Sequence, residues 1–208
     1  MRGPIASRLS NLRRPGGERG FSLAEMLAVV AMIGLVAGMG LYIADTASWR
    51  VSSAASDLAR RLEQSRSKAA FEQHDQVISF DTAAHTFTIH DDDNSDGNVD
   101  SAIGEETRVF QLSQSASEVV FGYPTGTKGL DGNNITAAIT FAGSPPKVSF
   151  NALGVAQSGV VYMVAYEDLQ AGDPTKMRAI TVNQATGRVR RWRYDTESNG
   201  PGPWRLER

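Results

Sequence analysis

An apolar run of 23 residues, Phe21 to Ile43, begins directly after a basic stretch ending in Arg19-Gly20, and it carries a single charge, Glu25. As a helix rising 1.5 Å per residue, a run of this length crosses the roughly 30 Å hydrocarbon core of a bilayer. An ionised carboxylate inside such a segment costs about 2.5–3.5 kcal/mol on insertion scales, so Glu25 needs a use beyond anchoring. The preceding stretch holds Arg2, Arg8, Arg13, Arg14 and Arg19 against Glu18. By the positive-inside rule the amino terminus stays cytoplasmic and the chain after Ile43 faces the other side. A secretory signal peptide would have an apolar core of about 7–15 residues and a small-x-small cleavage site. This run is longer and continues into Ala44-Asp45-Thr46-Ala47 without a clean site. A plain single-pass anchor accounts for the length and leaves Glu25 and Gly20 unexplained.

Helical periodicity continues past the apolar run. Ala47, Val51, Ala54, Ala55, Leu58, Leu62 and Ala69 recur at three and four residues, with Asp57, Arg60, Arg61, Glu63, Arg66 and Lys68 on other faces. No proline lies between Pro15 and Pro124, so one helix can run from about Phe21 to about Glu72, roughly 75–80 Å. Gly34, Gly38 and Gly40 permit close helix approach and are equally ordinary membrane-helix composition. After His74 the pattern alternates. Residues 77–80, 86–89, 108–112, 119–123, 137–141, 148–150, 160–165, 179–182 and 189–194 read as short strands between Gly, Asn, Asp and Pro signals. The expected fold is α+β: a long amino-terminal helix packed by its second half on a small antiparallel β-head. The expected division is a leader 1–20, an apolar half-helix 21–43, an amphipathic half-helix 44–74, a β-domain 75–195 and a flexible tail 196–208, from which Trp204 can dock back.

Gly20-Phe21-Ser22-Leu23-Ala24-Glu25-Met26-Leu27 followed by the long apolar run resembles the processing site of type IV pilins and type II secretion pseudopilins. Ser22 and Ala24 stand where threonine and isoleucine are commoner in that family. The resemblance implies cleavage by a prepilin peptidase between Gly20 and Phe21, N-methylation of Phe21, and an assembly role for Glu25, which would pair with the terminal amine of a neighbouring subunit. It implies a single-pass inner-membrane protein with a periplasmic head. Its partners would be the peptidase, other major and minor pseudopilins, and an inner-membrane assembly platform. The order of elements, the acidic loop His90 to Glu106 ahead of Arg108-Val109-Phe110, and the segments Ile180–Asn183 and Thr186–Arg190 resemble the GspH/FimT branch. That branch implies a minor pseudopilin near the tip of a secretion pseudopilus, or alternatively a FimT-like minor pilin of pilus priming or DNA uptake.

Two charged segments invite chemistry. Asp92, Asn94, Asp96, Asn98 and Asp100 offer oxygens in the alternating pattern, with a turn glycine at Gly97, that suits Ca²⁺. The pattern departs from an EF-hand, since Ile103 stands where the bidentate glutamate belongs, and a solvated turn uses the same residues. Arg188, Arg190, Arg191 and Arg193, interleaved with Val189, Trp192 and Tyr194, fit phosphate contact and base stacking. Strand alternation puts Arg188 and Arg190 on one face and Arg191 and Arg193 on the other. Gly187-Arg188-Val189-Arg190 resembles the Gly-Arg-x-Arg element by which some FimT-like pilins bind DNA, and a charged edge strand is the other reading.

Catalysis finds no support. The three histidines, His74, His85 and His90, lie in no nucleophile-activating or metal-ligand motif; His85 and His90 flank an expected strand near the acidic loop, where a metal role is conceivable and exposed hairpin positions are the favoured explanation. There is no cysteine, no nucleophile elbow and no phosphate-binding glycine loop. The expectation is a structural subunit that is no enzyme and needs no cofactor other than the candidate Ca²⁺.

Overall fold

A computed structural model describes residues 22–43, 46–97, 104–112, 118–196 and 202–207. The leader and Phe21, with the cleavage expected between Gly20 and Phe21, lie outside them. The chain divides into two compact units, Met1–Ala44 and Asp45–Arg208.

The first unit contains α1, Leu23–Ile43. Its described side chains, as far as Leu35, are all exposed, with Leu23 at 79% and Met32 at 72%. A helix apolar on every side has no face to turn to water, so it requires apolar surroundings. Among the described residues no helix is long and apolar enough to cross a membrane. The side chains of 36–43 lie outside that description, and the continuity expected of one helix from about Phe21 to about Glu72 depends on Ala44 and Asp45, also outside it.

The second unit is built around α2, Thr46–Glu72. All seven apolar positions of the expected stripe are buried, joined by Ala59 and Ser65. Gln73 ends the helix in the left-handed region at φ 65°, with its N–H on the Ala69 carbonyl at 2.9 Å. Among the described residues nine strands follow: β1 (Asp75–Asp81), β2 (Thr86–Asp92), β3 (Thr107–Gln111), β4 (Val119–Phe121), β5 (Lys147–Phe150), β6 (Gly159–Ala165), β7 (Arg178–Val182), β8 (Val189–Tyr194) and β9 (Trp204–Glu207). They form two antiparallel sheets, ordered β3-β2-β1-β5 and β4-β6-β7-β8-β9. Both sheets lay side chains on α2: Ile78, Phe80, Phe87 and Phe150 from the first, Val161, Met163, Ile180 and Val182 from the second. The alternate residues of the second sheet, Tyr162, Val164 and Ala179, form a smaller apolar layer with Tyr123, Leu130, Trp192 and Trp204. Burial on both faces is why residues 160–165 read as a continuous apolar run.

Three expectations need correction. The strand expected at 137–141 is an irregular segment with one bridge, Ile139 to Val161. It continues along the edge of β6 that β4 occupies at 163–165, so the two share a single edge and neither is long. A short helix, α3 (Tyr166–Ala171), was not foreseen; Gly172 ends it at φ 73°. The expected flexible tail 196–208 contains β9, which pairs with β8 through Tyr194 and Trp204. Trp204 supplies the reason: its ring lies 5.6 Å from Tyr162 and 5.2 Å from Tyr194, and its Nε1 donates to the Lys128 carbonyl at 2.8 Å.

Trp204→Ala removes that anchor, and we expect it to lower the head's unfolding free energy by about 1–3 kcal/mol, below the cost of a fully buried tryptophan because Trp204 is half-exposed. Chemical denaturation of the detergent-solubilised chain checks this; an unchanged midpoint would show that β9 adds nothing to the fold.

Candidate functional site

Glu25 sits in the first turn of α1, and its carboxylate is engaged. Oε2 accepts the Ser22 backbone N–H at 2.8 Å, while the Glu25 N–H donates to Ser22 Oγ at 3.3 Å. This is a reciprocal capping box, which satisfies two of the amides that a helix start leaves unpaired. The signal was legible: Ser22-Leu23-Ala24-Glu25 has the Ser-x-x-Glu spacing ahead of an apolar run. The family resemblance implies a neighbouring subunit's amine as the partner of this acid; within the chain its partner is the Ser22 amide. The box gives the Glu25 carboxylate one backbone N–H donor at the helix start.

Of the five residues expected to ligate Ca²⁺, the structure describes Asp92, Asn94 and Asp96; Asn98 and Asp100 lie outside the described residues. Asp92 is 1% exposed, and its two carboxylate oxygens accept the Asp96 and Gly97 amides at 3.1 and 2.8 Å. Asn94 Oδ1 accepts the Asp96 amide at 2.9 Å. These oxygens organise the loop's own backbone, as Asp and Asn side chains do in turns. The loop is closed from the far side by Glu105, whose Oε1 accepts the Asp93 N–H at 3.1 Å.

The histidines are not exposed hairpin residues. His90 is 4% exposed and its Nε2 contacts Glu105 Oε2 at 2.9 Å, an ion-pair geometry buried because β2 carries His90 inward beneath the loop. His85 is half-buried, and its Nδ1 accepts the Phe121 N–H at 3.3 Å. Burial pushes its pKa down, which keeps that nitrogen free to accept. His74 is pushed up, first by its hydrogen bond to Glu72 and then by the charges of Asp91 and Asp93.

The arginine cluster divides as strand alternation requires. Arg191 faces α2, bonded to Ser56 Oγ and 4.0 Å from Glu207. Arg193, on the same side, is 3.9 Å from Asp195. Arg188 and Arg190 are exposed and line a shallow groove of about 340 Å³ with Thr181, Asn183 and Trp192. Trp192 Nε1 donates to Thr181 Oγ1 at 3.1 Å, which fixes the ring beside them. The β7–β8 turn that presents this pair is tightly built. Asn183 Oδ1 accepts the Thr186 N–H and hydroxyl, and the Gly187 N–H bonds the Asn183 carbonyl at 2.8 Å. A Cβ on Gly187 would fall 2.0 Å from the Gly154 carbonyl oxygen, and φ there is 59°. The Thr-Gly-Arg sequence is therefore explained by packing before any ligand is considered. We expect Gly187→Ala to cost about 2–4 kcal/mol, from left-handed strain plus backbone overlap, against about 1 kcal/mol for Gly172→Ala, where a Cβ meets open space. Equal losses in a denaturation comparison would contradict the packing account.

No family profile and no characterised protein matches the chain by sequence. Two solved structures are similar to it. The minor pseudopilin EpsH from the type 2 secretion system of Vibrio cholerae superposes with a TM-score of 0.47 at 10% identity, over 69% of this chain and 97% of that one. The type IV minor pilin FimU of Pseudomonas aeruginosa superposes with a TM-score of 0.44 at 15% identity, over 67% of this chain and 85% of that one.

Proposed function

We propose that this chain is a minor pseudopilin of a type II secretion system, inserted in the inner membrane with its head in the periplasm, trimmed after Gly20, methylated on Phe21 and assembled near the tip of the pseudopilus. One observation carries the reading: Gly20-Phe21 stands immediately before a helix that is apolar on every described side and has its single acid, Glu25, in the first turn. Its role is structural. α1 supplies cohesion by packing with the corresponding helices of neighbouring subunits. Glu25 sets axial register by exchanging its cap on the Ser22 amide for the terminal ammonium of a neighbour, a stronger, charge-assisted partner. The head, held on α2, presents its surface to other minor subunits and takes no part in bond making.

Intact mass of the membrane-extracted protein from its native host, with and without prepilin peptidase, tests this. The expected product lacks residues 1–20 and carries one methyl group, and both changes depend on the peptidase. An uncut chain, or one cut elsewhere, overturns the reading.

The groove at Arg188 and Arg190 favours one second reading, a FimT-like minor pilin that contacts DNA, because two exposed guanidinium groups stand beside an indole ring. Titration of the detergent-solubilised chain with duplex DNA at low salt separates the two. If the pair grips phosphates, Arg188→Ala with Arg190→Ala lowers the slope of log affinity against log salt by about 2. Arg191→Ala leaves that slope nearly unchanged, since Arg191 is tied to Ser56. No binding at low salt removes the uptake reading.

A further inference from the structure

We propose that Glu72, His74 and Asp91 form a binding site for a divalent transition metal, with zinc the best-fitting ion, at the corner where α2 ends and the β1–β2 hairpin closes. Backbone geometry brings the three together. Glu72 is the last residue of α2, Gln73 turns the chain back through the left-handed region, and His74 then lies over the helix end just ahead of β1. Asp91 arrives from β2, opposite Gln76 in the ladder. His74 Nε2 stands 2.8 Å from Glu72 Oε2 and 3.2 Å from Asp91 Oδ1. Atoms that each lie about 2.0–2.2 Å from a zinc ion are themselves about 3 Å apart, so both pairs that include His74 Nε2 already have that spacing, and one ligand atom from each of the three residues lies within 4.8 Å of the others.

The surroundings of these atoms match what a metal-bound imidazole needs. His74 Nδ1, the nitrogen pointing away from the triad, meets Asp93 Oδ1 at 2.5 Å. A carboxylate on the second ring nitrogen fixes the tautomer and aims the first at a metal. The side-chain amide of Gln76, 1% exposed, holds Asp91 Oδ1, and Lys68 Nζ holds Asp91 Oδ2 while lying 3.3 Å from Glu72 Oε2. Charge points the same way. Three carboxylates, Glu72, Asp91 and Asp93, face the single ammonium of Lys68, so with a neutral imidazole the corner carries a net charge of −2 that one divalent cation neutralises. The ring nitrogen selects the class, because Ca²⁺ and Mg²⁺ take oxygen ligands while imidazole with carboxylates suits zinc, cobalt or nickel. Glu72 is exposed, which leaves an entry path and room for water to complete the shell. The bound ion would clasp the end of α2 to β2, and the site owes nothing to the acidic turn beyond Asp93.

The test uses the full chain in detergent, stripped by chelator and titrated with Co²⁺ as a visible probe. We expect one equivalent to give saturable d–d bands that Zn²⁺ displaces. Zn²⁺ at about a hundredfold excess over its Kd should raise the melting temperature by about 5 °C or more. His74→Gln should abolish both signals, and Glu72→Gln serves the same purpose if His74→Gln fails to fold by circular dichroism. Asp96→Asn, in the acidic turn, should keep both. Absence of saturable bands, bands that survive in the folded His74→Gln or Glu72→Gln chain, or bands lost in Asp96→Asn would each overturn the proposal.

Discussion

The head depends on one buried surface, the stripe of α2 from Ala47 to Ala69. Val51, Ala55, Leu58 and Leu62 are completely inaccessible to solvent. Each leucine buried this way contributes about 1.5–3 kcal/mol, and the alanines let the sheets approach the helix backbone closely. The two sheets have no strand in common; α2 and the side chains meeting it join them into one core. That explains why the helix keeps a narrow apolar face of small and medium residues. A bulkier stripe would push apart two sheets that otherwise meet through side-chain contacts such as His85 with Phe121 and Phe80 with Phe121.

The sequence was most legible where one physical signal dominated. The 3.6-residue period of α2 predicted its buried face residue by residue, because one side of that helix is wet and the other dry. Strands β1 to β8 were visible as alternating or continuous apolar runs. Reading failed where tertiary partners decide the outcome. Residues 137–141 have strand composition, yet the edge of β6 that they lie along is already half taken by β4. Residues 196–208 have tail composition, yet Trp204 finds an aromatic pocket between Tyr162 and Tyr194 that no local pattern announces. His90 looked like a hairpin residue because Glu105, fifteen positions away, is the partner that makes its burial tolerable.

The candidate sites show the same division. Glu25 was found because an acid in an apolar run is costly, and its partner Ser22 was overlooked because a cap is cheap and common. The basic segment was found as a charge cluster, but charge counting could not tell an arginine that props up a helix from one that faces solvent. Strand parity could: it separated Arg191 from Arg190 before any coordinates. The corner of Glu72, His74 and Asp91 was invisible in sequence, since Asp91 lies 17 positions after His74 and the β1–β2 hairpin alone closes that distance.

Gly187 has a mechanical meaning. It lies against the Gly154 carbonyl, and that same carbonyl accepts Arg66 Nε from α2 at 3.3 Å, so the β7–β8 turn, the 151–154 turn and the helix are bracketed into one stiff piece. The backbone of Arg188, one residue further on, is held with it, its N–H on Thr186 Oγ1 at 3.3 Å, while its side chain is exposed. Whatever rotates or lifts α2 carries the backbone of Arg188 through the same arc.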